Sequence, residues 1–171
     1  RNASHVAAFI DSFAKHHTVD AELIAAESPR QALADADIVC CTTTSKDPIF
    51  DDADLKPGVH INAVGSYTPQ ACEVPPETVQ RALVVVDSRN AAWEGAGDLI
   101  QPRDAGLINE QHIHAELGEL VLGTRPGRSR DDEITLFKNG GGGHLDLMTA
   151  CFILARDNAA CPDLAIRPIR E

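Results

Sequence analysis

The chain has 171 residues, of which 43% are hydrophobic and 24% are charged, and its formal net charge is −11. This length suits one domain, or one domain with an appendage, and the apolar content is sufficient for a core. An acidic chain without a basic block repels phosphate backbones, so we expect no nucleic-acid partner. No apolar run approaches the length of about 20 residues that a membrane span requires, so we expect no membrane insertion.

The first part of the chain predicts two helices and one buried strand. Apolar residues at helical spacing predict a helix over 3–14, and a short extended run follows over 22–26. Ser28 and Pro29 begin a second, short helix that runs to about Ala36, since proline is favoured in the first turn of a helix. The segment "DIVCCTTT" then predicts a buried strand that ends in hydroxyl side chains.

The middle of the chain alternates short strands with short helices. One helical turn in 51–55 precedes the strand "VHINAV", and a helix from Pro75 to about Arg81 precedes the strand "ALVVVD". The segment "SRNAAWEGAG" predicts a helix that is capped by Ser88 and ends near Gly97. Strands that are apolar on both faces belong in a parallel sheet covered by helices, so the predicted fold class is α/β with a doubly wound parallel sheet.

The last part contains a glycine-rich segment between a strand and a helix. Residues 108–122 predict an amphipathic helix, and "ITLFKN" predicts a further strand. Four glycines at 140–143 follow this strand and precede an apolar helix over 145–155. Their spacing matches neither G-x-G-x-x-G nor a Walker loop. Such glycines can let backbone N–H groups contact a phosphate, or they can form a flexible turn, and both interpretations remain open.

Polar residues follow two consecutive predicted strands. Thr42 to Ser45 follow the first of these strands, and Gly65 and Ser66 follow the second. Because ligands of doubly wound sheets bind outside the carboxyl ends of the strands, the two strand ends can share one ligand. An ordinary loop is the alternative interpretation of Gly65 and Ser66.

The cysteines and histidines give no sign of a disulfide framework or a metal site. The five cysteines are odd in number and include no Cys-x-x-Cys pair. Cys40 and Cys41 lie in an apolar run, which predicts two small core residues. A reduced, cytoplasmic protein therefore fits better than a secreted one. The seven histidines lack the spacing of zinc ligands, so we predict no metal site.

Asp98 follows Gly97 in the segment "EGAGDLI", at the predicted end of a helix. A carboxylate at a helix C-terminus is unfavourably placed with respect to the helix dipole, which suits a general acid or base. The other interpretation is an ordinary aspartate in a turn after glycine. The local sequence leaves both interpretations open.

Taken together, five segments resemble the ornithine cyclodeaminase/μ-crystallin family, in family order and spacing between residue 1 and about residue 158. The resemblance implies a Rossmann domain joined to a substrate and dimerisation domain, usually in a homodimer. It also implies an NAD(P)(H)-dependent enzyme that transfers hydride at the α-carbon of a small amino acid or cyclic imine, as in ornithine cyclodeaminases, alanine dehydrogenases and ketimine reductases. The segments are "ADADIVCCTTTS", "LKPGVHINAVGSYTPQACEV", "VVVDSRNAAWEGAGDL", "AELGELVLGTRPGR" and "DDEITLFKNGGGGHLDLMTA".

The resemblance also implies roles for residues near the nicotinamide. Asp98 matches an active-site aspartate that positions or activates water, or relays a proton at the substrate carbon. Thr43 matches a threonine beside the cofactor. Val64, Gly65 and Ser66 match the loop that passes the nicotinamide.

Two further groups of residues match cofactor positions. Arg1 and Asn2 match the turn after the second Rossmann strand, where an arginine suits a 2′-phosphate, so NADP(H) is favoured and NAD(H) is possible. Asn139, Gly140 and Gly141 take the place of a Ser-x-Gly segment near the nicotinamide and the substrate. This glycine-rich run departs from the family pattern, which leaves the choice of substrate open.

The family's glycine fingerprint and first strands would lie upstream of Arg1. The resemblance therefore implies an incomplete Rossmann domain over 1–138 and a C-terminal segment over 139–171 that packs toward the substrate and dimerisation domain, with Asp146 as a structural residue. We expect the chain to be part of a protein of roughly twice this length. The alternatives to an enzyme are a cofactor-bound binding protein of the μ-crystallin kind and an inactive fragment.

Overall fold

A sheet of five parallel strands forms the centre of the molecule in the computed structural model, which describes residues 3–16 and 21–157. The strands are β1 (Ile38–Cys41), β2 (His60–Ala63), β3 (Leu83–Val86), β4 (Ile113–Glu116) and β5 (Thr135–Lys138). Their order across the sheet is β1-β2-β5-β3-β4. Parallel neighbours require crossover connections, and this arrangement confirms the predicted α/β fold.

Seven α-helices accompany the strands within the described residues. They are α1 (Ala3–His16), α2 (Pro29–Leu33), α3 (Pro76–Arg81), α4 (Arg89–Gly95), α5 (Gly97–Asp104), α6 (Leu117–Val121) and α7 (Gly143–Asp157). Proline begins both α2 and α3, as the sequence predicts. Ser28 caps α2, because its Oγ accepts a hydrogen bond from the backbone N–H of Gln31 at 3.2 Å. Two short 3₁₀ helices lie at Asp52–Asp54 and Glu110–His112.

The two faces of the sheet differ in burial. On one face, Ile61, Leu136 and Val84 lie side by side on β2, β5 and β3, and all three are fully buried. On the other face, the aligned residues His60 and Thr135 are half-buried beside a cavity of about 540 Å³. Within the described residues the core therefore lies mainly on one face. The helices add Val79, Ala92 and Leu99 to the same buried cluster.

One of the predicted elements is wrong. Residues 108–122 do not form one helix, because β4 and α6 divide this range. In β4, buried Ile113 and Ala115 alternate with half-buried neighbours, and β3 is available as a pairing partner, so the period of two prevails over the helical pattern. The short extended run predicted over 22–26 is not part of the sheet. Residues 21–28 are fully described, form no strand and are exposed to solvent.

The prediction that both adjacent cysteines are core residues is correct for only one of them. Cys41 is fully buried, whereas Cys40 is exposed, because successive side chains of β1 point to opposite faces of the sheet. Arg1 and Asn2 lie outside the described residues, so their predicted cofactor contacts stay predictions. Over 3–16 and 21–157, no helix has both the length and the apolar character needed to cross a membrane.

Candidate active site at the carboxyl edge of the sheet

The carboxyl edge of the sheet brings together most of the residues that the sequence identifies. Thr43 follows β1, Val64 to Ser66 follow β2, and Asn139 follows β5. Because β5 lies between β2 and β3, these strand ends are neighbours. Ligands of parallel sheets bind outside the carboxyl ends of the strands, so this edge is the candidate site.

Glu73 joins the ends of β1 and β2. Its carboxylate accepts a hydrogen bond from the backbone N–H of Thr43 at Oε1 and another from the N–H of Gly65 at Oε2, the latter at 2.7 Å. The Glu73 side chain is completely buried. Hydrogen bonds from buried backbone donors to a charged acceptor are strong, so they fix the two strand ends relative to each other.

Only glycine fits at position 65, because the backbone there lies close to Thr43 and to the side chain of Glu73. A Cβ atom at this position would lie 2.0 Å from the carbonyl oxygen of Thr43 and 2.6 Å from the Glu73 carboxylate carbon. Any side chain at this position would therefore collide with the end of β1. Ser66, the next residue, is fully buried and directs its hydroxyl toward Asp98. The predicted contacts of Gly65 and Ser66 with a cofactor stay predictions.

Asp98 lies in the first turn of α5, where a carboxylate is favourably placed with respect to the helix dipole. The prediction that Asp98 lies at a helix C-terminus is wrong, because α4 already ends at Gly95 and Asp98 belongs to the next helix, which begins at Gly97. Gly97 lets α5 begin close to the loop that follows β2. A Cβ atom at Gly97 would lie 2.0 Å from the carbonyl oxygen of Ala71 in that loop.

Both carboxylate oxygens of Asp98 accept hydrogen bonds inside the protein. Oδ1 accepts from the backbone N–H groups of Glu73 at 2.7 Å and Val74 at 3.0 Å. Oδ2 accepts from the Ser66 hydroxyl at 2.5 Å, and the Ser66 oxygen accepts in turn from the N–H of Asp98 at 3.2 Å. The Asp98 side chain is completely buried, so its carboxylate does not face solvent.

Lys138 places a positive charge beside Asp98. The distance from Lys138 Nζ to Asp98 Oδ2 is 3.2 Å, and both side chains are completely buried. Nζ makes no well-oriented hydrogen bond within the described residues, so the contact is an ion pair rather than a directed hydrogen bond. The burial of Lys138 follows from its position in β5, because it shares a face of the strand with buried Leu136.

Asp87 organises the glycine-rich loop that follows β5. Its Oδ1 accepts from the N–H of Gly140 at 2.7 Å, and its Oδ2 accepts from the N–H of Gly142 at 3.1 Å. The N–H of Gly141 donates to the side-chain oxygen of Asn139 at 2.7 Å. These loop N–H groups already have acceptors, and an internal carboxylate takes the place of a bound anion. The predicted cofactor contacts of Asn139, Gly140 and Gly141 stay predictions.

The side chains next to the buried residues form the surface that a ligand would meet. Val64 is 44% exposed and Tyr67 is 72% exposed, before and after the buried Ser66. Thr42 and Thr44 are exposed as well. The edge therefore offers apolar and aromatic surface together with hydroxyl groups, which is a combination that suits a planar polar ring.

Two buried thiols lie near this site. Burial raises the pKa of Cys41 and that of Cys72 to about 12, and the charge of Asp98 contributes to both shifts. Both thiols are therefore protonated at neutral pH and are not nucleophiles. Across the described part of the chain, His, Cys, Asp and Glu side chains form no group of three or more that could hold a metal ion.

Comparison with known proteins agrees with the sequence resemblance. Residues 1–160 match the model of the ornithine cyclodeaminase/mu-crystallin family. The chain belongs to this family. Membership confirms the resemblance, and the parallel sheet is the Rossmann-like sheet of the family's solved structures.

Several similar members of the family are reductases. The chain is 40% identical over 131 residues to the Delta(1)-pyrroline-2-carboxylate reductase of Bacillus cereus, covering 76% of this chain and 40% of that protein. It matches the Thermococcus litoralis Delta(1)-pyrroline-2-carboxylate reductase in complex with NADH and L-proline with a TM-score of 0.84 and 35% identity, covering 93% of this chain and 49% of that one. The iminosuccinate reductase of Paracoccus denitrificans in complex with NAD+ gives a TM-score of 0.76 and 30% identity, over 90% of this chain and 46% of that one. The chain thus spans less than half the length of these relatives.

Three charged residues that shape this edge were not identified from the sequence: Glu73, Asp87 and Lys138. Asp87 directly follows a buried apolar strand, as Thr42 does. The alternation within β5 indicates a buried Lys138. Glu73 lies in a loop, and no local pattern identifies it as an acceptor for two distant strand ends.

Proposed function

We propose that the protein is a nicotinamide-dependent oxidoreductase that reduces the C=N bond of a cyclic imino acid. The observation that carries the proposal is the carboxyl edge of the sheet, where Glu73 holds the strand ends at Thr43 and Gly65 together. Similarity to two kinds of reductase, one of them in complex with NADH and L-proline, supports the substrate class. Its substrate would be Δ1-pyrroline-2-carboxylate or a close analogue.

The residues at this edge fit the nicotinamide end of the cofactor. Val64 offers an exposed apolar side chain, and Thr42 and Thr44 offer hydroxyl groups beside it. When bound, the reduced nicotinamide supplies the hydride for the imine carbon. The glycine-rich loop is not suited to the pyrophosphate, because Asp87 already accepts from two of its N–H groups.

Reduction of an imine adds a hydride to carbon and a proton to nitrogen. The sequence predicts that Asp98 handles this proton or a water molecule, and this stays a prediction. Its complete burial and its three accepted hydrogen bonds favour an indirect role instead. A cyclic imine that arrives as the iminium ion already carries the proton on nitrogen.

We expect NADP(H) to be preferred to NAD(H), because Arg1 suits a 2′-phosphate.

We also expect a cytoplasmic homodimer in which 139–171 pack toward the substrate and dimerisation domain. The exposed apolar side chains of α7 support this packing, because they lie around most of the helix and a helix that is apolar on all sides is normally buried. These side chains are Leu147, Met148, Phe152 and Ile153.

Steady-state assays of the intact protein test the proposed function. We expect NADPH or NADH to be consumed in the presence of Δ1-pyrroline-2-carboxylate, and no ammonia to be released from ornithine. Release of ammonia from ornithine would identify a cyclodeaminase instead. Fluorescence titration with both cofactors separates binding from turnover, and binding without turnover of any imine would identify a binding protein of the μ-crystallin kind.

A further inference from the structure

We propose that Asp98 and Lys138 are positioning residues, which act through Ser66 to hold the loop over 64–67 in the conformation that contacts the nicotinamide. This inference rests on the proposed function for the identity of the ligand. The geometry that supports it does not depend on the ligand. It consists of a closed set of hydrogen bonds around one buried ion pair.

Ser66 is held by Asp98 at two points. Its hydroxyl donates to Asp98 Oδ2 at 2.5 Å, and its oxygen accepts from the Asp98 backbone N–H at 3.2 Å. The side chain of Ser66 therefore cannot rotate outward without breaking both bonds. With Ser66 directed inward, Val64 and Tyr67 are left exposed on the surface of the site.

The same carboxylate also fixes residues 73 and 74, which follow this loop in the chain. Asp98 Oδ1 accepts from the N–H groups of Glu73 and Val74. The Glu73 side chain returns to the start of the loop and accepts from the N–H of Gly65. The carboxylate of Glu73 thus holds Gly65 in the loop, and the carboxylate of Asp98 holds the backbone of Glu73. The conformation of the loop therefore depends on the position of Asp98.

Lys138 provides the charge that this arrangement needs. Asp98 and Glu73 are both completely buried carboxylates, and Lys138 Nζ lies 3.2 Å from Asp98 Oδ2. Charged groups in the interior are tolerated when they are paired with an opposite charge. Lys138 comes from β5, the central strand, so it also ties α5 to the middle of the sheet.

A matched pair of substitutions tests the positioning role. Ser66→Ala removes a buried hydroxyl of the loop, which donates to the carboxylate of Asp98. Thr78→Val also removes a buried hydroxyl that donates to a carboxylate, that of Asp52 at 2.6 Å, but this residue lies outside the loop. Amide hydrogen exchange of 65–67 and the Kd for NADH by fluorescence titration are measured on the intact protein. Neither measurement requires turnover.

We expect Ser66→Ala to raise exchange at 65–67 and to weaken NADH binding by about tenfold, the loss that corresponds to roughly one hydrogen bond. Thr78→Val should leave both values unchanged even where it lowers the melting temperature. If Ser66→Ala fails to fold, Ser66→Cys, which is close in volume and a weaker donor, takes its place. Wild-type exchange and wild-type Kd in the Ser66 variant would overturn the positioning role.

The proposed function and the positioning role fail in different ways. A wild-type protein that binds NADH but reduces no cyclic imine overturns the proposed reaction, while the difference between the Ser66 and Thr78 variants still stands. An equal change in both variants would show that Ser66 serves only stability. That result would overturn the positioning role and leave the proposed reaction intact.

Discussion

Lys138 Nζ lies 3.2 Å from Asp98 Oδ2, and both side chains are completely removed from water. The two side chains differ in the number of their other hydrogen-bond partners. Asp98 keeps three hydrogen bonds in addition to this contact, whereas Lys138 has no other partner within the described residues. Because the carboxylate has other partners and the ammonium does not, removing the two charges should have different consequences.

We predict that Asp98→Asn destabilises the protein more than Lys138→Met. Asp98→Asn leaves a buried ammonium without a counter-charge, at a cost of about 3–5 kcal/mol in the free energy of unfolding. In Lys138→Met the carboxylate keeps its three donors, and we expect a loss of about 1–3 kcal/mol.

Urea unfolding of both single variants and of the double variant, followed through the fluorescence of Trp93, measures these losses. The double variant should lose less than the sum of the single variants, because neither unpaired charge remains. Strict additivity would show that Lys138 and Asp98 do not interact.

We predict that Glu73→Gln loosens the connection between β1 and β2. The carboxylate accepts from two backbone N–H groups, and an amide would direct its own donor at one of them. The expected cost is about 1–3 kcal/mol in the free energy of unfolding. Glu94→Gln, an exposed substitution of the same kind on α4, should change it by less than about 0.5 kcal/mol. Equal effects in the two variants would refute the bridging role of Glu73.

We predict that Gly65→Ala is strongly destabilising while Gly118→Ala is not. The added methyl group at Gly65 would meet the Thr43 carbonyl oxygen at 2.0 Å, so the ends of β1 and β2 must separate, at about 3 kcal/mol. Gly118 lies in α6, where an added methyl group would have no other atom within 4 Å, and alanine there should stabilise the helix by up to about 1 kcal/mol. Thermal unfolding of the two variants gives the comparison. A Gly65→Ala protein as stable as the wild type would show that the ends of β1 and β2 can separate at no cost.

The sequence was sufficient for most of the sheet because each of its strands except β4 is a short apolar run next to a turn or a helix. It failed for β4, where Ile113, Leu117 and Val121 recur at a spacing of four and imitate a helix, although Ile113 and Ala115 alternate as in a strand. A choice between the two periods depends on whether a neighbouring strand is available. The availability of a neighbouring strand depends on the tertiary structure and cannot be derived from the local sequence.

The candidate site was predicted in position but not in its internal contacts. Thr43 and Gly65 were placed correctly because carboxyl ends of parallel strands meet at one edge. The partners of Asp98 were not predictable, because Ser66 and Lys138 approach it from 32 and 40 residues away along the chain. Lysine is rarely buried, so composition alone argues against a role for Lys138 in the interior.

We predict that stability falls between about pH 9 and pH 12, in part because of the two buried thiols. Burial raises the pKa of Cys41 and Cys72 from 9.0 to about 12, so above pH 9 the unfolded chain loses protons that the folded protein keeps. Each thiol then lowers the free energy of unfolding by about 1.4 kcal/mol per pH unit in this range.

Urea unfolding as a function of pH tests this effect on the background of the other titrating groups. The Cys41→Ala/Cys72→Ala variant should show a shallower decline than the wild type, whereas Cys40→Ala, which alters an exposed thiol, should decline as the wild type does. Parallel profiles for all three proteins would contradict the assigned pKa values.

The transfer of hydride to the α-carbon of a cyclic imine is the central claim, and isotope transfer tests it most directly. The intact protein is incubated with Δ1-pyrroline-2-carboxylate and with NADH that carries deuterium on one or the other face of C4. Mass spectrometry of the amino-acid product should then show proline with deuterium at Cα from one of the two labelled cofactors. Unlabelled proline from both cofactors, or no proline from a protein that binds NADH, would contradict the account.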